Sequence, residues 1–422
     1  MRKYIPLSIP NFEGNERKYV DDAIDQGWVS TGGAYITRLE QDMAKFLHTE
    51  NVAACQSGTS AIHLSLVESG VHPGDIVLVP PLTFIAAVNP VKYQFATPIF
   101  IDCDDSFCMD PDKLTEFCEN ECNFDGTTLW YDSKKVKALV VVHVFGNMAD
   151  MESIMQTASK YNIKVIEDAT EALGTRYMTQ NELANHCDSD KLSTDTILCT
   201  SHENNIKPID DNLFGKYAGT IGDFGAYSFN GNKIITTGGG GAVTARESKT
   251  VDHLRYLSTQ AKDDPHYYIH HEVGYNYRMT NLQAALGVAQ MEELPDFILR
   301  KQRNYELYKE LFDGFDLAIL IPFREGTVSN KWFYSLCINR TKIKSSMREI
   351  ITTLDAKGIQ TRAIWGLINE QNPYLNEETY KLERAPYYAE RILNIPSSTE
   401  ISEDEIRYVA KTIREYLKEI SV

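Results

Sequence analysis

Residues 225–241 have the sequence Gly-Ala-Tyr-Ser-Phe-Asn-Gly-Asn-Lys-Ile-Ile-Thr-Thr-Gly-Gly-Gly-Gly. This stretch holds Lys233 in a turn between an apolar run, residues 226–229, and four consecutive glycines. Glycine allows backbone conformations that other residues avoid and lets another group approach the chain closely. A lysine that such a turn points into a pocket can attack carbonyl carbons, because removal from water favours its neutral amine. The same residues also describe a surface turn with a solvated lysine, so the surrounding chain has to decide between the two.

The chain around this turn is long and acidic. Its 422 residues exceed what one hydrophobic core usually supports, so we expect a large domain over residues 1–295 and a smaller one over 296–422. The hydrophobic share of 43% and the charged share of 24% are typical of a soluble globular protein. A net charge of −17 argues against nucleic acid or an anionic membrane surface as the main partner. A phosphate-bearing ligand therefore has to be bound by local donors.

The sequence also predicts a compartment. The first residues, Met-Arg-Lys-Tyr-Ile-Pro-Leu, lack the apolar core of a signal peptide, and no apolar run approaches the length of a membrane span, so we expect a cytoplasmic protein. Four of the eight cysteines lie close together, at Cys103, Cys108, Cys118 and Cys122. This spacing contains no Cys-x-x-Cys pair, so we expect free thiols in a reducing compartment rather than a zinc or iron–sulfur site.

Short apolar runs alternate with helical patterns through the first half of the chain. Strands are predicted at residues 52–55, 76–79, 98–101, 138–142, 165–166 and 226–229. Continuous apolar strands separated by helices are typical of an α/β protein with a mainly parallel sheet that is covered on both faces. Ligands bind such sheets at the carboxyl ends of the strands, so the loops that follow the strands are the candidate site.

Three of these loops carry suitable residues. Residues 56–60, Gln-Ser-Gly-Thr-Ser, open a helix whose free N–H groups and dipole can bind an anion, although they also suit an ordinary helix cap. Asp168, in the loop Glu-Asp-Ala-Thr-Glu, is placed for catalysis or cofactor binding, but acidic loops are common. Phe84 could stack on a flat ring or belong to the core. His143 is expected to be a buried structural residue.

The second half of the chain departs from this pattern. Residues 178–214 are polar, contain seven acidic residues and two lysines, and predict a long surface loop, with a lid over the active site as the alternative. Helices are predicted at 282–293 and from Pro295 to residue 312, and a strand at 332–338. A terminal helix is predicted at 402–420, where Ser402 and Glu405 have the spacing of a capping box.

Together these motifs resemble the DegT-type sugar-nucleotide aminotransferases, pyridoxal-phosphate enzymes of fold type I. The resemblance covers nearly the whole chain. Its motifs are, in order, Ser-Gly-Thr at 57–59, Pro-Leu-Thr-Phe at 81–84, His-Val-Phe-Gly-Asn at 143–147, Glu-Asp-Ala at 167–169, the lysine turn, Gly-Tyr-Asn-Tyr-Arg-Met at 274–279 and Ile-Pro-Ser-Ser at 395–398. Each is weak alone, and their order and spacing are specific. The resemblance implies a mainly parallel central sheet sandwiched by helices, plus a smaller α+β C-terminal domain.

The resemblance also implies a role for each matching residue. Lys233 corresponds to the lysine that binds the cofactor covalently and then moves a proton between cofactor and substrate. Asp168 corresponds to the carboxylate that faces the pyridine nitrogen and keeps it protonated. Phe84 corresponds to the aromatic residue stacked on the ring. No metal is implied.

Further residues match the phosphate and subunit contacts of the family. Gly58, Thr59 and Ser228 correspond to the phosphate cradle. Glu171 occupies the position that faces the cofactor's O3′, where many relatives have histidine or glutamine. Asn276 corresponds to a residue that reaches the phosphate of the neighbouring subunit, which implies a homodimer with shared active sites.

Two departures from the family pattern narrow the range of expected substrates. Residues 230–232 are Asn-Gly-Asn where much of the family has His-Pro-Thr, and Gly239 stands where it has glutamate. Both resemble the branch that acts on UDP-4-keto-6-deoxy-N-acetylhexosamines, in bacillosamine and legionaminic acid synthesis. The expected reaction is transfer of an amino group from L-glutamate, through pyridoxamine phosphate, to C4 of such a nucleotide sugar.

Alternatives to this substrate and to this function are open. The sugar could be a keto-deoxysugar linked to dTDP or GDP. A non-catalytic relative that binds ligand or regulates is another reading, although Lys233 and Asp168 are both retained. A dinucleotide-dependent Rossmann enzyme would need a Gly-x-Gly-x-x-Gly turn after an early strand, and the sequence has none there.

Overall fold

The computed structural model describes residues 4–190, 209–264 and 266–422. The α-helices of these ranges are α1 (Glu16–Asp25), α2 (Ala34–Leu47), α3 (Gly58–Glu68), α4 (Asn89–Tyr93), α5 (Pro111–Asn120), α6 (Met151–Lys160), α7 (Gln180–Asp190), α8 (Ser248–Ser258), α9 (Asn281–Phe312), α10 (Met347–Ala356), α11 (Arg384–Ala389) and α12 (Glu403–Glu419). None of these described helices is long and apolar enough to cross a membrane.

The strands of the same ranges form two larger sheets and one short pair. They are β1 (Val52–Cys55), β2 (Ile76–Val79), β3 (Thr97–Ile101), β4 (Asn123–Phe124), β5 (Leu129–Tyr131), β6 (Lys134–Val142), β7 (Lys164–Asp168), β8 (Arg176–Tyr177), β9 (Phe224–Ser228), β10 (Gly241–Ala245), β11 (Ala318–Leu320), β12 (Thr327–Val328), β13 (Tyr334–Ile338), β14 (Arg362–Ala363), β15 (Glu378–Tyr380) and β16 (Ile392–Ile395). The short pair is β8 with β12.

The main sheet has the strand order β1-β10-β9-β7-β6-β2-β3-β15. Every neighbouring pair in this row is parallel except the two made by β10, which runs antiparallel to β1 and to β9. The strands β1 and β2 are buried along their whole length, as expected when helices cover both faces of a sheet. The predicted α/β class with a mainly parallel sheet is confirmed.

The parallel strands bring three separate loops to one edge of this sheet. Strand β1 ends at Cys55 and leads into α3, β7 ends at Asp168, and β9 ends at Ser228, just before the lysine turn. Because β1, β7 and β9 all point the same way, their carboxyl ends lie along one edge. This edge carries the candidate site, as expected, because ligands bind such sheets at the carboxyl ends of the strands.

A second sheet is built from the C-terminal part of the chain. Its order is β11-β13-β16-β14, and all its pairs are antiparallel. A separate hydrophobic cluster joins this sheet to α10, α12 and the second half of α9, with Tyr308 and Tyr334 among its fully buried members. Strand β15, however, pairs with β3 in the main sheet. The proposed boundary near residue 296 falls inside α9, and the division into two domains stays a prediction.

Helix α9 shows where the sequence-based prediction was wrong. The sequence predicted one helix that ends at residue 293 and another that begins at Pro295, whereas the structure has a single helix with Pro295 inside it. Proline lacks an N–H and removes one helix hydrogen bond. The buried side chains of Leu294 and Phe297, which flank the proline, belong to the same hydrophobic core. This packing compensates for the missing bond and keeps the helix continuous.

The stretch 178–214 also contains regular structure that was not predicted. Helix α7 begins after Thr179, whose N–H and hydroxyl donate to Glu182 Oε2 at 2.8 and 3.0 Å, while Glu182 N donates back to Thr179 Oγ1 at 3.3 Å. This reciprocal pairing satisfies the free donors at the start of a helix. Residues 191–208 of the predicted loop or lid lie outside the described residues. The capping box predicted for Ser402 and Glu405 is present at the start of α12.

Candidate active site

A cavity of about 440 Å³ opens at the carboxyl edge of the main sheet. Seven of the eight residues predicted for the site line it, namely Gly58, Thr59, Phe84, Asp168, Glu171, Ser228 and Lys233. The eighth, Asn276, does not. Residues that lie far apart in the sequence therefore share one small space.

Lys233 lies inside this cavity rather than on a solvated turn. Its Nζ is 3.4 Å from Glu171 Oε1 and 4.2 Å from the ring centroid of Trp332, and its side chain is 12% exposed. The turn is held in place by a hydrogen bond from Lys233 N to Asn230 O and by one from Trp332 Nε1 to Asn232 O, at 3.0 and 2.8 Å. The structure thus resolves the choice between a surface lysine and a pocket lysine in favour of the pocket.

Two buried carboxyl groups face the same space. Asp168 is 4% exposed, and its Oδ1 accepts a hydrogen bond from Thr170 N at 3.0 Å. Burial raises the pKa of Asp168, and within the described residues Asp168 forms no ion pair. Burial also raises the pKa of Glu171, against the opposing effect of Lys233, and Glu171 Oε2 accepts from Phe145 N at 2.9 Å. A cation placed against Asp168 would restore its ionised form.

The start of α3 offers two further groups that can bind a ligand, the backbone N–H groups of Gly58 and Thr59. Ser57 caps the helix by accepting from Ser60 N at 3.0 Å, but in the described part of the chain the N–H groups of Gly58 and Thr59 have no acceptor. A Cβ at Gly58 would lie 2.7 Å from Thr170 Cγ2 and 3.0 Å from Ser228 Cβ, so this position requires glycine. Two free N–H donors at a helix N-terminus, with a serine hydroxyl beside them, suit a phosphate group.

These observations fit pyridoxal phosphate. The carboxylate of Asp168, without a counterion, suits a protonated ring nitrogen, and the free N–H groups of Gly58 and Thr59 suit the phosphate. The ring of Phe84 lines the same cavity and is 55% exposed, which leaves it available for stacking on a flat ring. Lys233 supplies an amine between these groups.

The sequence-based prediction did not include several cavity residues, all of which belong to the C-terminal part of the chain. Trp332 and Phe333 stack at 4.0 Å between centroids, and Trp365 lies 4.7 Å from Phe145. With Arg362 and Asn394 these residues complete the wall of the cavity. Trp332 was predicted only as the start of a strand, and no local pattern marked the others as site residues.

Two other predictions concern residues outside the cavity. His143 is buried, as predicted, with Nε2 at 2.9 Å from Glu167 Oε2 and with Nδ1 accepting from Ala149 N. Asn276 is exposed, and its Oδ1 accepts from Gln260 Nε2 at 3.0 Å. Its predicted contact with a neighbouring subunit stays a prediction.

The clustered cysteines are free thiols. Cys103, Cys108 and Cys118 are buried, and burial raises the pKa of each of them, that of Cys108 to about 12. Within the described ranges, no group of three or more His, Cys, Asp or Glu side chains is arranged to hold a metal ion.

The chain belongs to the DegT/DnrJ/EryC1/StrS aminotransferase family, whose model matches residues 10–414. Membership confirms the family prediction, the fold type and the class of enzyme, a pyridoxal-phosphate-dependent sugar aminotransferase. Similar proteins include GDP-perosamine synthase of Escherichia coli O157:H7, which is 32% identical over 98% of this chain and 99% of that protein. The putative pyridoxal phosphate-dependent aminotransferase EpsN of Bacillus subtilis is 31% identical over 96% of this chain and 94% of its own length.

Solved structures agree with the fold. The pyridoxal-phosphate form of the putative sugar aminotransferase Spr1654 from Streptococcus pneumoniae matches with a TM-score of 0.82. The alignment covers 99% of both chains at 21% identity. Helicobacter pylori PseC, an aminotransferase involved in the biosynthesis of pseudoaminic acid, also matches with a TM-score of 0.82, over 99% of this chain and 100% of its own, at 18% identity.

Proposed function

We propose that this enzyme transfers the amino group of L-glutamate to C4 of a 4-keto-deoxysugar linked to GDP. The observation that carries the proposal is the cavity, in which Lys233, Asp168 and the free N–H groups of α3 lie together. The nucleotide is inferred from three GDP-perosamine synthases, of E. coli, Caulobacter vibrioides and Vibrio cholerae, which are 30–32% identical over 98% of the chain.

The UDP-linked N-acetylhexosamine predicted from the sequence becomes the second candidate. It is supported by the Asn-Gly-Asn sequence before Lys233 and by Gly239. One relative, the UDP-N-acetyl-3-dehydro-alpha-D-glucosamine 3-aminotransferase of Acidithiobacillus ferrooxidans, has a UDP-sugar in its name, but it is 27% identical over 90% of the chain. The more similar GDP-perosamine synthases favour the GDP-linked alternative.

In this proposal Lys233 and Asp168 carry the chemistry. Bound pyridoxal phosphate supplies an electron sink for the electron pair of the broken C–H bond. Lys233 would hold the cofactor, and its amine would act as a general base and acid at the substrate carbon. The ionised carboxylate of Asp168 would keep the ring nitrogen protonated by a charge-assisted hydrogen bond. Retention of both residues in one cavity argues against a non-catalytic role.

The remaining predicted residues would orient the cofactor. Gly58 and Thr59 would donate their N–H groups to the phosphate, and Ser228 would donate its hydroxyl. Phe84 would stack on the ring, and Glu171 would face O3′. Asn276 of a second copy would reach the phosphate, so that a homodimer would have two shared sites.

The test is a comparison of specificity constants with L-glutamate as donor. The acceptors are GDP-4-keto-6-deoxymannose, UDP-4-keto-6-deoxy-GlcNAc and dTDP-4-keto-6-deoxyglucose. We expect the highest kcat/KM for the GDP-linked sugar, and none for a Lys233→Arg control. A preference for the UDP-linked sugar would contradict the proposed GDP-linked substrate and favour the second candidate, the UDP-linked N-acetylhexosamine. If the enzyme aminates none of the three acceptors, the proposed function is contradicted.

A further inference from the structure

The cavity contains a cation that the proposed chemistry does not use. Among the described residues that line it, the charged side chains are Asp168, Glu171, Lys233 and Arg362. Lys233 pairs with Glu171. Arg362 in β14 is exposed, and its guanidinium forms neither an ion pair nor a hydrogen bond with any described residue. In a chain with a net charge of −17, an arginine without a counterion in a cavity is available for an anionic ligand.

An amide lies directly beside this arginine. Arg362 and Asn394 are paired residues on the antiparallel strands β14 and β16, so their side chains lie on the same face of the sheet. Asn394 is only 3% exposed and lines the same cavity. Its Oδ1 accepts a hydrogen bond from Ser335 Oγ at 2.7 Å, on the next strand β13. In this orientation of the amide, its NH₂ group has no acceptor among the described residues.

We propose that Arg362 and Asn394 bind a carboxylate of the amino-acid donor. The guanidinium can donate two parallel N–H bonds to a planar carboxylate, and the Asn394 NH₂ group can donate a third. This inference rests on the proposed function, because it identifies the part of the same site that holds the donor. It assigns a binding role to two residues from the C-terminal half of the chain, while the predicted cofactor contacts all lie before residue 277.

The position of the reacting carbon favours a carboxylate over the diphosphate of the nucleotide sugar. The cavity has a volume of about 440 Å³, near the lower end of the range for a pocket that holds one drug-sized ligand. In an amino acid, the α-carboxylate is attached to the reacting carbon and must enter with it. In the nucleotide sugar, the diphosphate is attached at C1, across the ring from the reacting C4. An anion-binding pair that lines the cavity therefore suits the donor.

The first measurement uses glutarate, which has the two carboxylates of glutamate but no amino group to transfer. Its binding to the cofactor-loaded protein is followed by calorimetry, or by the intrinsic tryptophan fluorescence, to which Trp332 and Trp365 in the cavity wall contribute. We expect Arg362→Gln to weaken glutarate binding roughly 10- to 100-fold, the effect of losing a charge-assisted pair. Arg362→Lys should recover part of it, because it keeps the charge but not the two-pronged geometry.

Arg348→Gln is the matched control. Arg348 lies on α10, is exposed and does not line the cavity, so this variant removes the same charge and should bind glutarate as the unmodified protein does. Circular dichroism and melting temperature establish that each variant is folded. Absence of glutarate binding to the unmodified protein, or equal binding by Arg362→Gln, would overturn the inference.

The second measurement separates the two substrates. The half-reactions with L-glutamate and with the keto-sugar nucleotide are followed individually by the absorbance of the cofactor. Arg362→Gln should raise the glutamate concentration needed for half-maximal rate and leave that for the sugar nucleotide nearly unchanged. The opposite pattern would assign Arg362 to the diphosphate and reject the carboxylate. Failure of the unmodified protein to react with glutamate would contradict the proposed function instead, so the two failures are distinguishable.

Discussion

Lys233 forms its ion pair with Glu171, at 3.4 Å, and not with Asp168, although both carboxyl groups lie in the same cavity. Asp168 is therefore the carboxylate left without a counterion in this part of the chain. We therefore expect the two acids to have different roles: Glu171 pairs with the amine of Lys233, and Asp168 is available to a cationic group of a bound ligand.

Glu171→Gln should change how the stability of the cofactor-free protein depends on pH. Burial raises the folded-state pKa of Glu171 above its ordinary value of about 4.3. The stabilising contribution of a group with a raised pKa is complete below the unfolded-state pKa and is lost as pH rises through the folded-state pKa. Glutamine cannot ionise, so the melting temperature of the variant relative to the unmodified protein should increase with pH above about 4.

The measurement is a series of thermal melts of both cofactor-free proteins between acidic and neutral pH. The variant also loses the ion pair with Lys233, which changes its melting temperature as well. The readout is therefore how the difference in melting temperature between the two proteins changes with pH, and not whether this difference is positive or negative. Two parallel pH profiles would contradict the prediction.

Lys233→Arg should abolish covalent attachment of the cofactor. Arginine keeps a positive charge beside Glu171, but its guanidinium remains protonated and is a poor nucleophile. The unmodified protein should be yellow and, after borohydride reduction, carry the label on Lys233, whereas the variant should carry none. Peptide mapping by mass spectrometry locates the label. A label on another lysine would show that the assignment is wrong.

Asp168→Asn should retain cofactor binding and lose most turnover. The asparagine keeps the oxygen that accepts from Thr170 N, but it removes the charge that holds the ring nitrogen protonated. Losing such a contact costs on the order of a hundredfold or more in kcat. Steady-state kinetics with saturating cofactor measure the effect, and the visible spectrum of the variant shows whether the cofactor is bound. Turnover near that of the unmodified enzyme would rule out this role.

Asn276 should act across a subunit interface. It is exposed and lies outside the cavity of its own chain, which is consistent with a contact to a second copy. Mixing an inactive Lys233→Ala chain with an inactive Asn276→Asp chain should give heterodimers in which one of the two sites has both residues intact. Activity should return to at most about half of the normal value per heterodimer. Full activity in a demonstrably monomeric preparation would refute the shared site.

The strands that carry the site were predictable from local sequence. The bounds of β1 and β2 match the predicted residues 52–55 and 76–79, because strands that are buried on both faces are short, continuous apolar runs. Asp168 was predicted to follow its strand and is in fact the last residue of β7. Helix α9 was not predictable in the same way, since Pro295 is a local stop signal that packing on both sides overrides.

The sequence alone thus determined the α/β class and the loops of the candidate site, because hydrophobic periodicity and glycine-rich turns are local properties of the chain. The family followed from the resemblance of its ordered motifs to those of known aminotransferases. Only the tertiary structure decided which side chains meet there. Glu171 and Lys233 are separated by 62 residues, and Asn232 and Trp332 by 100. The pairing of Arg362 with Asn394 depends on the register of two strands. Such contacts depend on the packing of whole layers, which no local pattern records.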